Sequence, residues 1–122
     1  MKNLRTSRNL CIVVISCIAM FALAALSSAR SITTSVNIAN NSNREIRNVY
    51  LSHVDADDWG ANQLGDATIP AGQSMNLNVA CDQQQFKVIA EDSEGCFIST
   101  VLTCGSSTTW TITNNSARDC GN

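Results

Sequence analysis

The chain has 122 residues, six cysteines and one proline, enough for one modest domain and a short appendage. Charged residues are sparse at 15%, and the formal net charge is −2. No basic stripe of the kind that grips nucleic acid is present, so that class of partner is excluded.

Lys2, Arg5 and Arg8 lead into an apolar run from Leu10 to Leu26, and Ser27-Ser28-Ala29 follow as small residues. That order predicts a secretory signal peptide over 1–29, helical in its apolar part and cut after Ala29. The run is close to the lower limit for a spanning helix, so an uncleaved anchor is one alternative. Val14-Ile15-Ser16-Cys17 also fits a lipoprotein cleavage site. However, the residues after Cys17 are greasy where a lipid tether is polar. Cleavage after Ala29 leaves 30–122 as the exported domain, secreted or periplasmic, with no stable membrane span. It keeps five basic and all ten acidic side chains, a net charge of about −5.

Ile32, Thr34, Val36 and Ile38 alternate with polar residues and predict a half-buried strand. Asn40-Asn41-Ser42-Asn43 reads as a turn cluster. A second strand over Arg44–Val54 loses its period between Ile46 and Val49, which predicts a β-bulge there. Asp55 to Gly65 is a loop by composition. Pro70 and Gly72 suit a type II turn, and Met75, Leu77 and Val79 alternate as a third strand.

Phe86, Val88 and Ala90 share one face of the next strand. A four-residue loop, Asp92-Ser93-Glu94-Gly95, pairs Ala90 with Phe97, Val88 with Ser99 and Phe86 with Val101. After Gly105–Thr108 turns the chain, Trp110 and Ile112 fall beside Thr103 and Val101, completing a three-stranded meander. The expected fold is therefore all-β: a small antiparallel sandwich of about six to seven strands.

Cys11 and Cys17 leave with the leader, and an even set remains. Four cysteines in a short exported chain predict two disulfides. The hairpin register brings Cys81 to the level of residues near Cys104, and extending the last strand brings Cys120 toward the turn where Cys96 begins its strand. The expected pairs are Cys81–Cys104 and Cys96–Cys120. No C-x-x-C spacing supports thiol exchange.

One stretch resembles a site. Asp55, Asp57, Gly60 and Asp66 occupy positions 1, 3, 6 and 12 of an EF-hand-like loop, with Asp58 adding a carboxylate. Calcium is therefore one reading for Asp55, Asp57, Asp58 and Asp66. Against it, position 5 is Trp59, position 8 is Asn62, and the flanks read as strand. The other reading has the aspartates capping turns and Trp59 folding onto the sandwich as a lid. A third reading makes the loop a recognition surface marked by Trp59 and Asn62. Glu91-Asp92-Ser93-Glu94 looks like a solvated hairpin tip.

His53, the single histidine, adjoins this loop. A hydrolase around it needs a positioned nucleophile or acid, and its neighbour Ser52 points to the opposite face of a strand. Zinc is poorly served by one histidine and disulfide-bound sulfurs. Asn40-Asn41-Ser42 and Asn114-Asn115-Ser116 are formal glycosylation triplets of the sort that Asn-rich turns generate by chance. The expectation is a non-enzymatic structural or interaction module whose partner is a protein, a glycan or an envelope component. It needs no cofactor unless the acidic loop takes calcium.

Tyr50-Leu51-Ser52, Asp57-Asp58-Trp59-Gly60, Leu64-Gly65, Pro70-Ala71-Gly72-Gln73-Ser74, Cys81, Glu94-Gly95 and Cys104 together form a recognisable series. In that series the chain resembles a set of small exported bacterial domains of unassigned activity, over about three quarters of the exported part. The resemblance implies a β-sandwich and adds support for Cys81–Cys104. Cys96 and Cys120 depart from its pattern, so their pairing rests on register. It implies no activity.

Overall fold

The computed structural model describes residues 32–121. The leader, its cleavage point and the anchor and lipid alternatives lie outside the described residues. Six strands follow in order: β1 (Ile32–Asn41), β2 (Ile46–Ser52), β3 (Ser74–Cys81), β4 (Gln85–Asp92), β5 (Phe97–Thr103) and β6 (Thr108–Thr113). They form two three-stranded sheets, ordered β3-β1-β6 and β2-β4-β5. The fold is all-β, as the alternation of apolar and polar residues predicts.

Alternation decides which side chains meet between the sheets. Thr34, Val36, Ile38 and Asn40 of β1 point inward, opposite Val79, Leu77 and Met75 of β3. From the other sheet come Ile46, Val49, Val88, Ala90 and Ile98, and Ile112 of β6 joins them. Val36, Ile38, Ile46, Val49, Val88 and Ile112 have no exposed surface. Each contributes about 1.5–3 kcal/mol through burial. The expected bulge is present: β2 slips against β4 between Ile46 and Asn48. The Pro-Gly turn closes with Gln73 N–H on the Pro70 carbonyl at 3.0 Å, and Gly72 supplies φ of 80°.

Two expectations fail. The hairpin loop has three residues, not four, because Asp92 N–H bonds the Cys96 carbonyl at 3.0 Å and Gly95 turns with φ of 79°. Ala90 therefore faces Ile98, Val88 faces Thr100 and Phe86 faces Leu102. A slip of one residue exchanges the faces of a strand, so Phe97, Ser99 and Val101 point outward and Ile98 is buried. The meander is the second failure. β6 leaves β5 for the other sheet and pairs in parallel with β1, placing Trp110 opposite Ile38 and Ile112 opposite Asn40. Ile112 needs a core partner, and the inner face of β1 supplies one where the outward face of β5 cannot. The sandwich is thus mixed rather than wholly antiparallel.

Both disulfides form as expected. Cys81 ends β3 in one sheet and Cys104 follows β5 in the other, so this bridge ties the layers together. Cys96–Cys120 fastens the C-terminal tail beside β5, where Phe97 and Asp119 exchange backbone bonds of 2.7 and 2.8 Å. The tail reaches β5 after crossing from the other sheet, not by prolonging an adjacent strand. Loops of this length give each bridge ~3 kcal/mol in the chain-entropy account.

Asn40, placed in a turn cluster by its neighbours, is instead a fully buried member of β1. Its Nδ2 donates to the carbonyls of Arg44 (2.7 Å) and Ile69 (2.9 Å), and its Oδ1 accepts from the Ser42 hydroxyl (2.6 Å) and N–H (3.2 Å). Asn40→Ala strands these buried groups and lowers stability by about 2–3 kcal/mol. Asn40→Asp costs at least as much, since it turns a carboxylate oxygen toward two carbonyls. Urea unfolding with an unchanged slope is the measurement.

Candidate functional site

The loop between β2 and β3 runs back along the outer edge of β2. Gly60 N–H reaches the Leu51 carbonyl (3.4 Å) and Gln63 N–H the Val49 carbonyl (2.7 Å). Asn62 is the organiser. Its Oδ1 accepts from Val49 N–H (2.9 Å) and Leu64 N–H (3.1 Å), and its Nδ2 donates to the Gly65 carbonyl (3.1 Å). Leu64 is thereby driven into the core, and an edge that would otherwise offer free backbone groups is covered.

Trp59 is carried onto the outer face of the β2-β4-β5 sheet. Its ring stacks on Tyr50 at 5.5 Å between centroids and meets Phe97 edge-on at 5.1 Å. Such offset and T-shaped geometries match the ring quadrupoles. The indole stays 39% exposed although it is held on two sides. Val101, 45% exposed, extends along the outward face of β5 from Phe97. The one-residue shift of β5 is what supplies Phe97 to this group.

The four candidate calcium ligands do different things. Asp58 Oδ1 accepts from the Ser52 hydroxyl (3.0 Å) and His53 N–H (3.1 Å), while its Oδ2 meets His53 Nδ1 at 2.6 Å. Asp57 pairs with Lys87 Nζ at 3.2 Å, and Lys87 also reaches the Ala56 carbonyl at 3.3 Å. Asp55 and Asp66 are exposed. Among the described residues no three of these four carboxylates converge within 4.8 Å. The acidic group that does converge is Asp92, Glu94 and Cys96. There the sulfur is held in a disulfide and both carboxylates engage Arg118.

His53 has more company than the sequence suggests. Asp58 binds its Nδ1, Asp82 lies 3.7 Å from Nε2, and an open cleft lined by Leu51, Ser52, Gly60, Val79 and Ala80 adjoins the dyad. A hydrolytic triad requires the hydroxyl on the imidazole so that nitrogen can take its proton. Here the Ser52 hydroxyl donates to the carboxylate of Asp58 and also contacts the Ala56 carbonyl at 2.7 Å. That wiring closes a turn and leaves the hydroxyl off the imidazole.

Sequence reasoning missed Asp92, which is 1% exposed. Its Oδ1 accepts from Glu94 N–H (2.9 Å) and Cys96 N–H (3.1 Å), and its Oδ2 faces Arg118 Nε (2.9 Å) and Arg44 Nε (3.4 Å). Burial alone raises its pKa, but the two N–H donors and Arg118 outweigh it and hold the carboxyl below its ordinary value. The available signal was an Asp directly before Ser-Glu-Gly, which suits a side-chain-closed turn.

No protein-family model matches the sequence, and no curated protein does. Among solved structures, the chain is similar to the NMR structure of a protein from Eubacterium rectale. The two are 14% identical, with a TM-score of 0.45, over 75% of this chain and 90% of that one.

The Asp58 hydrogen bond and charge, aided by Asp82, raise the His53 pKa above 6.5, and the same bond lowers Asp58 to about 2. The raised imidazole stabilises the fold fully below 6.5, and that stabilisation is lost as pH climbs through the folded value. The depressed carboxylate contributes above 3.8, and its share fades as pH falls toward 2. The latch is therefore strongest between 3.8 and 6.5. NMR titration finds the His53 midpoint above 6.5 in the native protein and displaced toward 6.5 in Asp58→Asn.

Proposed function

We propose that the protein is an exported, non-enzymatic β-sandwich module that binds a protein, glycan or envelope component through the surface bearing Trp59. The observation that carries this reading is the exposed indole fixed between Tyr50 and Phe97. A large side chain ordered before contact loses little entropy on binding. Rigid aromatics at the centre of a patch also provide much of the energy of known interfaces. Hydrogen bonds accepted by Asn62 and Asp58 restrain the loop on either side of the ring. The outward neighbours, Val101 and Ser99, add an apolar and a polar edge.

Export is supported by the pairing of Cys81, Cys96, Cys104 and Cys120 in two disulfides, which persist in oxidising compartments. Among the described residues no helix is long and apolar enough to cross a membrane. A calcium role for the loop requires Asp57 and Asp58 to leave Lys87 and His53.

Trp59→Ala tests the proposal. In co-sedimentation with cell-envelope material from the source organism, the variant binds more than about tenfold more weakly than the native protein. Its circular dichroism is unchanged. Equal binding by a folded variant overturns the assignment of this surface.

A further inference from the structure

Charge is divided between the two sheets. β1, β3 and β6 contain no Asp, Glu, Lys or Arg. Every charged side chain among the described residues lies on the β2-β4-β5 sheet, in a connection or in the tail. The outward face of the neutral sheet is an array of Ser, Thr, Asn and Ala, with Asn37 Nδ2 donating to Asn76 Oδ1 across β1 and β3 at 2.8 Å.

Edges are treated just as unequally. The β2 edge is covered by Gly60–Gln63, and β5 is met by Asp119. Among the described residues no segment pairs with the outer edge of β3. That strand is eight residues long, with no proline, charge or bulge to protect it from pairing, and the loop after β2 approaches it only at Val79 and Ala80, across an open cleft. Its core-facing Met75 and Leu77 stay only half-buried, while Val36 and Ile38 opposite them are fully buried.

We infer that β3 pairs antiparallel with β3 of a second copy, about a two-fold axis through Leu77. The strand is self-complementary in that register. Leu77 meets Leu77 of the partner subunit, Met75 faces Val79 of the partner subunit, and Asn76 faces Asn78 of the partner subunit. Both half-buried side chains then gain cover. β6, with six residues, offers the shorter edge. The matching of Met75, Leu77 and Val79 argues for a second copy as the occupant, and charge leaves this approach the least opposed. With a net charge of about −5 on 30–122, two copies repel on most approaches. Contact through β3 joins neutral strands and leaves the charged sheets on the far sides.

Sedimentation equilibrium of the oxidised protein recovered from an exporting host tests this. The native protein shows twice the monomer mass, dissociating on dilution. Asn76→Lys with Asn78→Lys sets lysines opposite one another, raises the dissociation constant about tenfold or more and leaves circular dichroism intact. The matching pair Asn76→Asp and Asn78→Asp also dissociates, and mixing the lysine and aspartate proteins restores the double mass. Thr111→Lys, on β6, leaves the native mass unchanged. A monomeric native protein overturns the inference, as does a dimer that survives both lysines.

Discussion

The carboxylate of Asp92 is the group on which the arrangement of this domain turns. It sits where β4 ends, out of water, and its two oxygens divide their work. One takes the N–H groups of Glu94 and Cys96 and so fixes a three-residue hairpin; the other draws in Arg118 and Arg44. A buried carboxylate is tolerated only when its lone pairs are satisfied in this way. The hairpin length then sets the register of β5, and the register turns Phe97 outward to meet Trp59. Arg118 brings the tail within reach of Cys96, so the second disulfide depends on the same hub.

From that register follows a division of labour between the sheets. The β2-β4-β5 sheet, the connections and the tail carry the aromatic group, the long acidic loop and the four described Lys and Arg side chains, each within 4 Å of a carboxylate. The neutral sheet carries open edges and half-buried apolar side chains. Two of the loop's candidate calcium ligands act as struts in this structure: Asp58 ties the start of the loop to Ser52 and His53, and Asp57 ties it to Lys87. The outcome is an exposed indole on a loop held by several short bonds.

Much of the fold was legible because alternation of apolar and polar residues is a strong local signal. All six strands and the bulge after Ile46 could be read from it; both disulfide pairs were expected too, but from a hairpin and meander register that the structure replaces. What escaped was decided at long range. Whether a turn holds three residues or four depends on which side chain closes it, and Asp92 looked like one acid among several. Nothing local distinguishes β6 as a neighbour of β5 from β6 as a parallel partner of β1; the buried Ile112 settles it by needing the inner face. Asn40 was hidden by the polar company of Asn41, Ser42 and Asn43. At the candidate site the residues Trp59 and Asn62 were visible, but Phe97 joins Trp59 and Tyr50 only through the register of β5.

The register of β4 against β5 is the most direct check on this account, and nuclear Overhauser contacts in the oxidised protein read it without mutation. The account predicts cross-strand contacts of Ala90 with Ile98 and of Val88 with Thr100, together with contacts of the Trp59 ring to Phe97 and Tyr50. Contacts of Ala90 with Phe97, and a Phe97 ring packed among Val36, Ile38 and Val49, would contradict it.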